Sequence, residues 1–276
     1  TDRSRGLGDV YKRQAYHASL YAQYLLRTWI DLPIYCISAS EFRYGNYRVN
    51  ENTLCIFVSQ SGETADTLAA LKLSKENKAQ TLTVTNVLGS SLARLSDYVL
   101  YTCAGPEIAV ASTKAYTTQL VLLACLCLKL ASLFNKDVAC KNHMINQLKQ
   151  MPDVVEQMLA QEEKMAEFAK LLTNQKDAYF IGRQLDYLSV LEGALKLKEV
   201  SYVHADAYMA GELKHGPIAL IEKDTVVIAL ATQPSVAQKT ISNILETVAR
   251  GAEVILIASQ SQNTEGFEYV IRIPDV

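Results

Sequence analysis

At 276 residues the chain is long enough for one large domain or two of ordinary size. With 49% hydrophobic residues it can bury a real core, and a net charge of −2 gives no electrostatic basis for binding nucleic acid or an acidic membrane. The six cysteines include no C-x-x-C pair and lie mostly in apolar runs, so buried free thiols in a reducing cytoplasm are expected, with no metal centre and no cofactor.

Residues 1–14 are charged, contain glycine and show no clear periodicity. They form an atypical segment, and both a native start and a sequence artefact remain open. The next signal is T-L-C-I-F-V-S-Q-S-G-E-T-A-D-T-L at 53–68. A β-branched apolar run stops at Val58, small and polar residues follow, and an amphipathic pattern with Leu68, Leu71 and Leu73 begins. That pattern predicts a buried strand, a hydroxyl-rich turn and a helix N-terminus. Unpaired N–H groups and a partial positive charge make such a terminus a phosphate site. Ser59, Ser61 and Thr64 add hydroxyl donors, and Gly62 allows close backbone approach. No lysine follows at the spacing of a nucleotide-binding loop, so a compact phosphate monoester fits better than a triphosphate. A plain Ser/Thr-capped helix explains the same residues equally well.

A second strand is predicted at Thr81–Asn86. The longest apolar run, Leu120–Leu128, is too short to span a bilayer and is closed by Lys129. Residues 135–175 are charged, periodic and almost free of glycine and proline, which predicts linking helices. The strand–helix–strand pattern then returns: Val227–Gln233, a helix over 236–250, and Glu253–Ala258. Apolar strands alternating with helices mean parallel sheets covered on both faces, and the repeat after about 170 residues means two such domains. The expected limits are 15–135 and 171–276, with linking helices over 136–170. In the second copy Ser59-Gln60-Ser61 becomes Thr232-Gln233-Pro234, a poor phosphate cradle, so the two halves should differ in function.

The second half also holds candidate chemistry. A strand over 177–182 leads into a helix on which Leu188, Leu191, Leu195, Glu199 and Tyr202 share a face. A carboxylate on a packing face is either paired or placed for proton transfer. The ordinary alternative for Glu199 is an i,i+3 ion pair with Lys196, worth only about 0.2–0.5 kcal/mol. His215 lies between Gly211 and Gly216-Pro217, on a predicted loop beside Glu212 and Lys214, where a solvated histidine and an acid/base near neutral pH are both open readings. A strand-like E-Y-V-I-R-I lies just before Val276, so the chain reads as a fragment.

Three motifs carry a family resemblance. F-V-S-Q-S-G-E-T-A-D-T at 57–67 and E-I-A-V-A-S-T-K-A-Y-T-T-Q at 107–119 resemble the sugar isomerase (SIS) domain family. L-E-G-A-L-K-L-K-E-V-S-Y-V-H-A-D-A-Y-M-A-G-E-L-K-H-G-P-I-A-L at 191–220 resembles the isomerase half of the glucosamine-6-phosphate synthase family. The resemblance implies two tandem three-layer α/β/α domains. It implies that Ser59, Gln60, Ser61 and Thr64 hold a sugar phosphate and that Val110 and Ser112 line the sugar, with Glu107 nearby. It implies that Glu199 moves a proton between C1 and C2, that Lys196 is a site lysine, and that His215 assists ring opening across a homodimer interface. The implied reaction converts fructose 6-phosphate and glutamine to glucosamine 6-phosphate and glutamate, feeding amino-sugar (UDP-N-acetylglucosamine) synthesis. Another phosphosugar isomerase or deglycase and a noncatalytic phosphosugar-binding module are the alternatives. The chain departs from the family pattern where Arg13-Gln14 stands in place of a first apolar strand and a phosphate-binding serine. The family's glutaminase domain and its C-terminal tail with an imine-forming lysine have no counterpart here, so the fragment alone is expected to be inactive.

Overall fold

The computed structural model describes residues 3–134 and 141–275, with residues 3–13 given by their backbone. Cys140 and the expected domain limit at 135/136 lie outside the described residues. The chain divides into two compact units, Thr1–Val138 and Ala139–Val276.

In the first unit a long helix, α1 (Arg3–Trp29), precedes residues 30–38, which form no strand. A one-turn helix α2 (Ala39–Phe42) follows, then β1 (Leu54–Ser59), α3 (Ala65–Glu76), β2 (Gln80–Thr85), α4 (Ser91–Leu95), β3 (Tyr98–Tyr101) and α5 (Lys114–Leu133). The strands form a parallel sheet in the order β1-β2-β3, with register from Leu54 opposite Gln80 to Ser59 opposite Thr85. Phe57, Ala70, Leu71 and Leu92 form a core between β1, α3 and α4. Ala15, Ala18, Ala22, Leu25 and Leu26 recur at helical spacing along α1 and are buried. The Cys127 thiol of α5 reaches the Ala22 carbonyl at 3.6 Å, so α1 and α5 pack together. Asp97 fastens β3 to β2: its carboxylate accepts hydrogen bonds from the Thr81 N–H at 2.9 Å and hydroxyl at 2.7 Å, and from Lys75 Nζ at 2.8 Å.

The second unit opens with α6 (Lys141–Leu159) and α7 (Glu162–Ala169). These were expected to be linking helices. Phe168 instead joins the unit's core, with Met158 and Met165 packed against it. Next come β4 (Asp177–Gly182), α8 (Leu185–Ser201), β5 (His204–Met209), two 3₁₀ turns, β6 (Val226–Ala231), α9 (Ala237–Val248), β7 (Glu253–Ser259) and β8 (Tyr269–Ile273). All five strands are parallel, in the order β5-β4-β6-β7-β8. Two core clusters cover the sheet, one containing Val190 and Ala194 of α8 and Phe168 of α7, the other Ile244 of α9 and Leu213. Helices on both faces explain the near-continuous burial of β4 and β6.

Several expectations need correction. The segment before Tyr16, read as lacking clear periodicity, is helical backbone. Tyr202 does not share the packed face of α8; it caps the helix in the left-handed region, φ 60°, and is 92% exposed. Among the described cysteines only Cys127 is buried, while Cys103 and Cys125 are exposed. Finally, α5 runs for 20 residues and is long and apolar enough to cross a membrane by length and composition, although its central apolar run alone is not. In the first unit it serves as a core helix, with Leu123, Ala124 and Leu128 buried.

Candidate active site

The loop after β1 stands at the carboxyl end of a parallel sheet, where open α/β folds bind their ligands. Ser59 ends the strand and is buried; its hydroxyl accepts the Gly62 N–H at 3.1 Å and lies 3.3 Å from the Thr64 hydroxyl. The Ser61 hydroxyl accepts the Glu63 N–H at 3.3 Å. Gly62 has φ 67°, and a side chain there would run into Ser90 and Thr85, so the turn requires glycine. Thr64 precedes the first turn of α3 without using its side chain as a cap, which leaves its hydroxyl available. The Ser90 hydroxyl beside Gly62 is buried and makes no hydrogen bond. Hydrogen bonding from Ser91 holds the exposed Glu63 carboxyl below its usual range.

Asn86, at the end of β2, ties this loop to the next one. Its N–H donates to the Gln60 carbonyl at 3.0 Å, and its side chain donates to the Gly105 carbonyl at 2.8 Å and accepts the Ala104 N–H at 2.8 Å. The Glu107 carboxylate accepts the Ser112 hydroxyl at 2.9 Å and the Ala115 N–H at 3.1 Å, fastening the loop to the start of α5. Gln14 of α1 donates to the Ser112 carbonyl at 2.7 Å. Ser112 is thereby buried, while Val110 is 67% exposed. Sequence reasoning assigned no role to Asn86 or Gln14; nothing in their local pattern distinguishes them, because their partners are distant in the chain.

In the second unit Glu199 does lie on a packed face, its side chain only 7% exposed. The ion-pair reading is realised, and it engages one of the two carboxylate oxygens. Lys196 Nζ approaches Oε2 at 2.6 Å, the expected helical pair, while Oε1 is buried and makes no hydrogen bond. Lys196 also lies 3.5 Å from Glu192, a carboxylate not singled out from the sequence. A single ammonium therefore sits beside two carboxylates, and one oxygen of Glu199 is left able to accept a proton. His215 is exposed and ends a 3₁₀ turn, Leu213–His215, rather than an irregular loop. Arg183 packs against Gly211 ahead of this turn and donates to Asn243 at 2.7 Å.

The second copy of the β1 loop is closed by its own carboxylate. Asp186, buried in the first turn of α8, accepts the Thr232 N–H at 2.8 Å, the Thr232 hydroxyl and the Gln233 N–H at 3.4 Å. Burial pushes this carboxyl above its usual range, against the opposing pull of those hydrogen bonds. The donors that an external anion would need are already used. Among the described residues no group of acidic, histidine and cysteine side chains could hold a metal ion.

The SIS domain family matches residues 12–129 and 171–273, one match in each unit. A glutamine–fructose-6-phosphate aminotransferase (isomerizing) of Caldanaerobacter subterraneus is 50% identical over 264 residues, which cover 95% of this chain and 43% of that protein. Its Escherichia coli counterpart is 44% identical, with 95% and 44% covered. The chain thus spans less than half the length of these curated relatives. The C-terminal domain of glucosamine-fructose-6-phosphate aminotransferase from Francisella tularensis superposes with a TM-score of 0.90 at 36% identity, covering 99% of this chain and 81% of that one. A glucosamine-6-phosphate deaminase from Thermotoga maritima, 22% identical with a TM-score of 0.72, shares the fold. With two family matches in order and two parallel sheets to receive them, the chain belongs to the SIS domain family.

Proposed function

We propose that this chain is the isomerase portion of a glutamine–fructose-6-phosphate aminotransferase, and that it binds a hexose 6-phosphate and moves a proton between C1 and C2. The observation that carries the reading is that the two units hold unlike sites. One unit has a hydroxyl-lined loop at a sheet's carboxyl end; the other has a buried carboxylate with one oxygen unbonded. In this reading Ser59, Gln60, Ser61 and Thr64 hold the phosphate through hydroxyl and N–H donors. Val110 and Ser112 line the sugar, and Glu107 acts mainly by fixing Ser112.

Glu199 takes the C1 proton on Oε1 and returns it at C2, the enediolate oxygen carrying the negative charge between the two steps. Lys196 holds Oε2 and orients the carboxylate. His215 assists ring opening from a partner subunit of a homodimer. The amino group comes from glutamine through a glutaminase domain in the longer protein, and the product is glucosamine 6-phosphate. Free thiols, unpaired among the described residues, agree with a reducing cytoplasm.

Titration calorimetry with fructose 6-phosphate tests the phosphate assignment. Replacing Ser61 and Thr64 together by Ala should weaken binding by at least tenfold, about 1.4 kcal/mol, with the circular dichroism spectrum unchanged. Equal affinity in the double variant would remove this loop from the site.

A further inference from the structure

Between the end of β3 and the start of α5, residues 102–113 form neither strand nor helix. This stretch carries Glu107, Val110 and Ser112, so whatever shapes it decides how a sugar is met. It starts with a tight bend in which Cys103 (φ 54°) and Gly105 (φ 68°) both lie in the left-handed region. A residue with a side chain, such as Cys103, rarely adopts that conformation unless its surroundings impose it.

The bend closes around the carboxamide of Asn86, at the end of β2. Oδ1 accepts the Thr102 hydroxyl at 3.0 Å and the Ala104 N–H at 2.8 Å, and Nδ2 donates to the Gly105 carbonyl at 2.8 Å. The main chain of the same residue serves the phosphate loop instead. Its N–H donates to the Gln60 carbonyl at 3.0 Å, an oxygen that also accepts the Thr85 hydroxyl at 3.3 Å. Asparagine suits this place because it carries a donor and an acceptor on a short stem. Aspartate has no donor for Gly105, and glutamine is longer by a methylene. Asn86 thus fixes where the loop starts, while Glu107 fixes how it closes on Ser112 and Ala115.

We propose, on the reading that the hexose phosphate binds in this unit, that Asn86 is a positioning residue for sugar recognition. Its carboxamide sets the bend from which Val110 and Ser112 are presented. The phosphate loop then supplies affinity for the anion, and Asn86, without touching the substrate, supplies the added affinity for the sugar. Two substitutions disturb the bend from opposite sides. Asn86→Ala deletes the carboxamide and keeps the main-chain bond to Gln60. Gly105→Ala adds a Cβ that meets no atom within 4 Å but must sit at φ 68°.

Phosphorus magnetic resonance titrations of the full-length parent separate the two contributions. Inorganic phosphate engages the phosphate loop alone. Sorbitol 6-phosphate, a hexitol phosphate with no carbonyl and hence no reaction, engages both loops. Each variant should bind inorganic phosphate as the parent does and sorbitol 6-phosphate about tenfold more weakly or worse, with the circular dichroism spectrum unchanged. If Asn86→Ala loses that spectrum, Gly105→Ala decides alone. Equal weakening of both probes would overturn the proposal by making Asn86 a support of the phosphate loop. Unchanged binding of sorbitol 6-phosphate would overturn it as well. The underlying reading fails in a different variant: it falls, and the proposal with it, if replacing Ser61 and Thr64 together by Ala leaves the binding of inorganic phosphate unchanged.

Discussion

Individual residues show where the local sequence speaks and where it is silent. Ser59, Gly62 and Thr64 are legible because the strand, turn and helix that position them are continuous in the chain. Glu199 is legible as a packed carboxylate from its spacing, but the unbonded state of Oε1 is not, since it depends on what surrounds α8. Asp186 is likewise invisible beforehand: its partners Thr232 and Gln233 lie more than forty residues away. Gln184, just before α8, is held at φ 52° and ψ −123°, a region suited to glycine. Strain of this kind costs on the order of 1–3 kcal/mol. Replacing Gln184 by Gly should therefore raise the thermal midpoint of the second unit. A lowered midpoint would show that Gln184 makes contacts worth more than the strain.

At the scale of elements, hydrophobic periodicity located the apolar strands β1, β2, β4, β6, β7 and β8 and their helices. It missed β3 and β5. Strand β5 reads His-Ala-Asp-Ala-Tyr-Met, too polar for a buried strand, and it lies at a sheet edge where His204 and Asp206 face solvent. Strand β3 is only four residues long and depends on Asp97 to hold it to β2. Hydrogen bonds from Lys75 and Thr81 lower the Asp97 carboxyl to about 2, below the ordinary value of about 3.9. A lowered folded-state value means that the clamp contributes fully above pH ~4 and is lost as the pH falls through about 2. Exposure to solvent keeps the contribution modest. Asp97→Asn should flatten the acid limb of a stability profile between pH ~4 and ~2, read by denaturant midpoints. An unchanged slope would place the acid sensitivity elsewhere.

On the scale of the whole molecule, the repeat in the sequence corresponds to two parallel sheets, but the copies are unequal in two ways. Among the described residues the first has the open loop and a three-stranded sheet; the second has a five-stranded sheet and a loop closed by Asp186. The loss of the serine, the arrival of Pro234 and the Arg13-Gln14 departure announced this asymmetry in the sequence. The proposed homodimer has a direct test in the full-length parent. Mixing protein carrying Glu199→Gln with protein carrying His215→Ala should restore part of the activity once subunits exchange, because one composite site in each mixed dimer is intact. No recovery despite demonstrated exchange would put His215 in its own chain's site or outside the chemistry.

The central claim is that Glu199 is the base for proton transfer on a hexose 6-phosphate, and exchange of the C1 proton of fructose 6-phosphate with deuterium oxide reads that step alone. In the full-length parent, nuclear magnetic resonance should show deuterium entering C1. Glu199→Gln, which keeps the shape but removes the acceptor, should slow that entry by ~10²–10⁴-fold while glutamine hydrolysis survives. Deuterium entering at the parental rate in the variant would contradict the account and leave Glu199 as the partner of Lys196 and nothing more.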